Sequence, residues 1–187
     1  LKSKVFDHPK KGTSMESVKK IIRDIPDFPK EGIIFKDITP LLADASAFRK
    51  TINTLKERYS DKQIDKVVGV EARGFIFASA LAYALEAGTT MVRKPGKLPY
   101  KTYQETYSLE YGTDTIEIHQ DAFQPGERIV LIDDVLATGG TLGATLNLIR
   151  NNFQNVEIVE TAFLIELDFL NGRKKLKDTS IHSLIHY

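Results

Sequence analysis

Residues 130–144 read VLIDDVLATGGTLGA, and the fold is decided there. An apolar run ends in two adjacent carboxylates, Asp133 and Asp134. Ala137, Thr138, Gly139, Gly140 and Thr141 follow, and then a helical pattern begins. A strand-to-helix turn with two glycines lets successive backbone N–H groups converge on one point, and the helix N-terminus adds partial positive charge. Thr138 and Thr141 supply hydroxyl donors. This is a site for a phosphate monoester. A Walker loop requires Lys where this chain has Thr141, and the dinucleotide fingerprint needs G-x-G-x-x-G where the spacing here is G-G-x-x-G. Paired acids ahead of a phosphate cradle suit a sugar phosphate, since carboxylates accept hydrogen bonds from vicinal ribose hydroxyls. As a plain strand-end turn the same pair would repel at a cost in stability.

Working outward, other apolar runs alternate with helical patterns. Residues 66–70, 89–93, 128–132 and 156–165 read as strands, and 74–86 and 143–151 as helices. Continuous apolar strands alternating with helices predict a parallel sheet covered on both faces, the doubly wound α/β class. Ahead of this core, Val18, Ile21, Ile22 and Ile25 give residues 15–25 one apolar helical face. Residues 28–40 read as extended, and 45–59 as a helix capped by Asp44 or Ser46. A long polar insertion, 94–124, contains an alternation at 115–119 that predicts a hairpin.

Composition narrows the class. The chain has 187 residues, which accommodates a single domain with a sizeable core. It has no cysteine, which excludes disulfides, thiolate metal sites and a Cys nucleophile together. A net charge of +1 gives no sign of a nucleic-acid surface. No apolar run reaches membrane-spanning length, and a cytoplasmic location is expected. Residues 1–14 are expected to be a vector-derived or poorly ordered extension before a natural start at Met15, a genuine N-terminal arm being the alternative. Residues 15–187 are expected to form one domain.

Read alone, Arg73 before Gly74 is a surface cation and RKPGK (93–97) a solvated basic loop. Beside a phosphate nest they suit a second anion. The passage from 130 to 144 resembles the signature of the type I phosphoribosyltransferases: apolar strand, two acids, A-T-G-G-T. Three further segments resemble the adenine-specific members of that family: Arg93-Lys94-Pro95-Gly96-Lys97-Leu98-Pro99, Tyr107-Ser108-Leu109-Glu110-Tyr111-Gly112, and residues 28–40. The similarity runs from about Met15 to Tyr187.

The resemblance implies the type I fold, with a small N-terminal hood and a flexible catalytic loop. It implies purine salvage: transfer of the phosphoribosyl group from 5-phosphoribosyl-1-pyrophosphate to N9 of adenine, giving AMP and pyrophosphate. It assigns Asp133 and Asp134 to the ribose hydroxyls and 137–141 to the 5′-phosphate. Glu71, Ala72, Arg73, Arg93, Lys94 and Lys97 fall to pyrophosphate, with a non-proline cis peptide at Glu71–Ala72. Main-chain groups of Ile34 and Lys36 would pair with the adenine edge, with Phe35 and Val135 against its faces; plain core packing of 33–35 is the alternative. Glu110 would manage the purine proton, unless it is only an exposed loop acid, and Tyr111 would shape the closed site. Mg2+ is the implied cofactor, held mostly by substrate and water with Asp133 in indirect contact. A homodimer is implied too. The rivals are a relative acting on another base and a regulator that only senses the ligand.

Overall fold

The structure, a computed structural model, describes residues 14–108, 112–176 and 178–187. Apart from Ser14, the expected N-terminal extension lies outside them, as do Glu110 and Tyr111. The chain divides into two compact units, Leu1–Lys50 and Thr51–Tyr187.

The first unit begins with a short helix, α1 (Met15–Lys19), and an antiparallel pair, β1 (Arg23–Pro26) and β2 (Ile34–Asp37), in which Ile25 faces Phe35. The expected helix over 15–25 is therefore cut short. Pro26 disfavours helical backbone at Ile25, and the extended alternative gains pairing with β2. Lys36 donates to Asp24 at 2.7 Å, and the rings of Phe28 and Phe35 meet edge to face at 5.2 Å. The Phe28–Pro29 peptide is cis. A one-turn helix, α2 (Thr39–Ala43), precedes α3 (Ala45–Tyr59). Asp44, the expected cap, accepts the N–H groups of Ser46 and Ala47, each at 2.9 Å.

The second unit is built on five parallel strands: β3 (Lys66–Val70), β4 (Gly88–Val92), then, past an antiparallel hairpin of β5 (Thr102–Ser108) and β6 (Thr113–His119), β7 (Arg128–Leu136), β8 (Glu157–Glu166) and β9 (Ile181–His186). Their order is β4-β3-β7-β8-β9. Helix α4 (Gly74–Leu85) joins β3 to β4, and α5 (Gly140–Asn152) joins β7 to β8. The two crossovers leave in opposite directions. Right-handed connection then sets α4 and α5 on opposite faces, and strand order reverses between β3 and β7. Ligands of open α/β sheets bind at such a reversal, beyond the carboxyl ends of the strands.

The expected doubly wound class is what forms, because β3, β7 and β8 are nearly continuous apolar runs buried on both faces. Val68, Ile129, Leu131 and Phe163 of the sheet pack with Leu146, Leu148 and Ile149 of α5 and with Ile116 and Ile118 of the hairpin. Two boundaries differ from expectation. Strand β7 runs four residues beyond 132, through both acids, since Val135 and Leu136 still pair with Ile165 and Glu166 of β8. Strand β9 was not anticipated: IHSLIH carries no apolar run, and its order comes from pairing with β8.

Within the second unit, one buried charge ties the sheet to the C-terminal end of α3. Glu160, in β8, accepts Arg58 Nε and Nη2 at 2.5 and 2.7 Å, and the Tyr59 and Ser180 hydroxyls at 2.8 Å each. Burial works against ionisation here, but these hydrogen bonds outweigh it and hold the pKa at about 2, against an ordinary 4.5. Because folding lowers this pKa, the stabilisation is complete above about pH 4.5 and is lost as pH falls towards 2. Glu160→Gln should therefore cost about 2 kcal/mol at pH 7 and flatten the acid limb of stability. Urea melts as a function of pH measure this; an acid limb as steep as in the parent protein would contradict it.

Candidate active site

Three loops converge at the strand reversal, each leaving the carboxyl end of a strand. The first follows β3. The Glu71–Ala72 peptide is cis, as the resemblance implied, and Arg73 is the N-cap of α4. Gly74 lies hard against the end of β7: a Cβ there would stand 2.8 Å from the Ile132 carbonyl oxygen and 2.9 Å from Asp133 Oδ1. That approach brings Arg73 to the acids. Its Nε lies 2.7 Å from Asp134 Oδ2, although that oxygen has no aligned hydrogen bond, so the contact is chiefly Coulombic.

The acids themselves lie on consecutive positions of β7 and so point to opposite faces. Asp134 is 5% exposed and turned to Arg73. Asp133 Oδ1 accepts the Asp134 N–H at 2.8 Å. Burial first, and then the charge of Asp134, push the Asp133 carboxyl well above the ordinary range. Burial also raises Asp134, with Arg73 as the main opposing influence. A pair this poorly solvated is expensive to keep ionised, and Arg73 offsets part of that cost at Asp134.

The second loop follows β7. Gly139 is the N-cap of α5 in the left-handed region, φ 78°, a conformation that favours glycine. It offers no capping side chain, so the first amides of α5 take no side-chain cap from the chain. A cavity of about 90 Å³ is lined by Asp133 and Val135, by the loop from Ala137 to Thr141, and by Phe163. Thr138 and Thr141 both belong to that lining.

The third loop follows β4 and carries the cations. Glu71 gathers them: its carboxylate accepts the Lys94 N–H at 2.8 Å, Arg93 Nε at 3.3 Å and Lys97 Nζ at 2.5 Å. Burial opposes ionisation of Glu71, yet the bonds from Lys97, Lys94 and Arg93 hold its carboxyl below the ordinary range. Lys94 Nζ also pairs with Asp114, whose carboxyl that bond lowers. A second cavity, about 180 Å³, is lined by Glu71, Arg93, Lys94, Tyr107, Asp114, Asp133 and Thr141 among others. Asp133 and Thr141 line both cavities, so the anion nest and the cation cluster adjoin.

Arg73, Arg93, Lys94, Lys97, Glu71, Asp133, Asp134, Val135 and the loop 137–141 all fall within this second unit, around the strand reversal. Ile34, Phe35 and Lys36 lie on β2 of the first unit. The sequence reading gave no role to two residues, Tyr107 and Asp114. Tyr107 Oη is 3.0 Å from Thr141 Oγ1 and 3.2 Å from Asp114 Oδ2, tying the hairpin to the phosphate loop. Tyr107 sits on β5 and Asp114 just ahead of the alternation read at 115–119, and the contact of Tyr107 with Thr141 is tertiary.

A family model described as a phosphoribosyl transferase domain matches residues 40–184. An adenine phosphoribosyltransferase of Syntrophotalea carbinolica is 58% identical over 92% of this chain and 100% of its own length. The crystal structure of adenine phosphoribosyltransferase from Thermoanaerobacter pseudethanolicus superposes with a TM-score of 0.88 at 49% identity, covering 93% of this chain and all of that one. The Saccharomyces cerevisiae enzyme, crystallised with an imino-altritol bisphosphate and adenine, gives 0.84 at 38% identity over 90% and 97%.

Gly74→Ala should lower stability by about 1–3 kcal/mol, read as a fall in the urea midpoint. An unchanged midpoint would contradict the close approach of α4 to β7.

Proposed function

Since the chain belongs to the phosphoribosyl transferase domain family, we propose that it transfers the phosphoribosyl group of 5-phosphoribosyl-1-pyrophosphate to N9 of adenine, releasing pyrophosphate and forming AMP. The observation that carries this reading is the adjoining pair of cavities: the turn 137–141 lines one, Arg93 and Lys94 line the other, and Asp133 and Thr141 line both. The two anionic ends of the substrate would then each meet a differently built site. Homologues that bear the adenine enzyme's name over their full length support the choice of base.

The amides and hydroxyls of 137–141 hold the 5′-phosphate, and Asp133 and Asp134 accept the ribose hydroxyls. Arg73, Arg93, Lys94 and Lys97, with the main chain at Glu71 and Ala72, take the pyrophosphate. Glu71 serves them mainly by keeping its cations together. Displacement at C1 proceeds with much oxocarbenium character, so the protein works by alignment and preorganised charge and needs no covalent nucleophile. Main-chain groups of Ile34 and Lys36 read the adenine edge, with Phe35 against the ring. A base with reversed donors and acceptors would leave polar groups unpaired, which is strongly discriminating. Glu110 handles the purine proton and Tyr111 completes the closed site.

The donors fit Mg2+. Asp133 and Asp134 are hard oxygen groups, and two carboxylates are too few to hold an ion without substrate and water. When bound, the ion supplies Lewis-acid stabilisation of the leaving pyrophosphate. The residues named above bind and align substrate around it, with Asp133 in indirect contact. We place the reaction in the cytoplasm; among the described residues, no helix is long and apolar enough to cross a membrane. We also propose a homodimer, supported by the exposed apolar side chains Ile76, Tyr83 and Met91.

Turnover of adenine with 5-phosphoribosyl-1-pyrophosphate and Mg2+, against a panel of other purines and orotate, tests the reaction. Adenine should be strongly preferred and chelation should abolish the rate. Asp134→Asn and Arg73→Ala should each lower kcat/KM by about 100-fold or more with folding retained; near-normal turnover would refute their roles.

A further inference from the structure

Gly172 is buried in the turn between β8 and β9, and its backbone lies on the backbone of the phosphate loop. A Cβ at position 172 would overlap the Ala137 carbonyl oxygen and stand 3.1 Å from the Gly139 N. The approach is reciprocal, because a Cβ at Gly139 would be 2.7 Å from the Gly172 carbonyl oxygen. Gly172 is not among the glycines of positive φ. Its conformation is open to any residue, so only proximity requires glycine here.

What holds this turn in place is a buried ion pair. Glu166, at the end of β8 and 5% exposed, accepts Arg173 Nε at 2.9 Å and Nη2 at 2.5 Å. Ser183 of β9 donates to the same carboxylate at 2.6 Å, and Arg173 Nη1 donates to the Ile181 carbonyl at 3.0 Å. A bidentate guanidinium fixes direction as well as distance. Around it, Leu167 N–H donates to the Leu136 carbonyl and Asp168 N–H to the Tyr187 carbonyl, each at 3.0 Å. The turn is thus bolted to β7, β8 and β9 at once.

The same neighbourhood brings donor atoms of Glu166, Asp168 and His186 within 4.8 Å of one another, beside a recess of about 370 Å³. That recess shares no lining residue with the two cavities of the active site. A metal ion there would need Glu166, whose oxygens already accept the permanently charged guanidinium. The arrangement serves the ion pair better than a cation.

We propose that Gly172, clamped by Arg173 and Glu166, is a positioning residue for the 5′-phosphate loop, acting through the backbone of Ala137 and Gly139. The inference rests on the reading of 137–141 as the 5′-phosphate site. Amides that grip a phosphate must be placed within fractions of an ångström, so a slackened buttress weakens that grip and leaves the adenine site alone.

The test compares Gly172→Ala and Arg173→Met with the full-length parent, using KM for each substrate, kcat, and calorimetric binding of ribose 5-phosphate. Gly172→Ala should raise KM for 5-phosphoribosyl-1-pyrophosphate and the Kd for ribose 5-phosphate by about 100-fold. Arg173→Met should raise them by about tenfold. Arg173→Lys should not restore the parent values, since an ammonium lacks the fork. KM for adenine should stay within about twofold in both variants. Should Gly172→Ala fail to fold, Arg173→Met decides. Unchanged phosphoribose affinity in Arg173→Met, or a parallel rise in both KM values, overturns the inference. A parent protein without adenine turnover would instead strike the reading beneath it.

Discussion

Two adjacent carboxylates near the end of β7, Asp134 buried and Asp133 partly so, are the constraint to which the surroundings answer. Ionised together with no partner, they would cost more than a domain of this size can spare. The chain meets the problem by geometry. Gly74 lets the start of α4 press against β7, which brings Arg73 to Asp134. The strand order reverses at the same place, so the two loops that flank the acids diverge and leave room between them.

Charge around the site is balanced before any ligand arrives. Arg73 stands against Asp134, Arg93 and Lys97 against Glu71, and Lys94 against Asp114. This keeps a strongly basic loop ordered, and it explains why the cations cluster on Glu71 when mutual repulsion would spread them. A polyanionic substrate then competes for donors already aimed, and reorganisation is small. The loop 137–141 is likewise braced from both ends. Tyr107 reaches Thr141 from the hairpin, and Gly172 backs Ala137 and Gly139 from the turn between β8 and β9.

How much of this could be read from the sequence depends on whether the determining contacts are local. Strands β3 and β8 were legible as apolar runs, and residues 133–141 as a site, because strand, acids and glycines are contiguous. The continuation of β7 to Leu136 was not legible, since polar Asp133 and Asp134 interrupt the run and only pairing with β8 carries it on. Strand β9 was missed for the same reason. In the first unit, one proline next to Ile25 overrode a helical spacing. Arg73, Arg93, Lys94 and Lys97 looked like ordinary surface cations until the loop 137–141 gave them an anion to serve. Nothing in the spacing linked Tyr107 or Gly172 to that loop, because both contacts span more than thirty residues.

The central claim is that phosphoribose sits on the turn between β7 and α5 with its hydroxyls on the paired acids. A crystal structure of the protein with 5-phosphoribosyl-1-pyrophosphate and Mg2+ tests it most directly. The account expects the 5′-phosphate within hydrogen-bonding distance of the 138–141 amides and the ribose hydroxyls against Asp133 and Asp134. Phosphoribose bound elsewhere, with that turn vacant at saturating ligand, would contradict it.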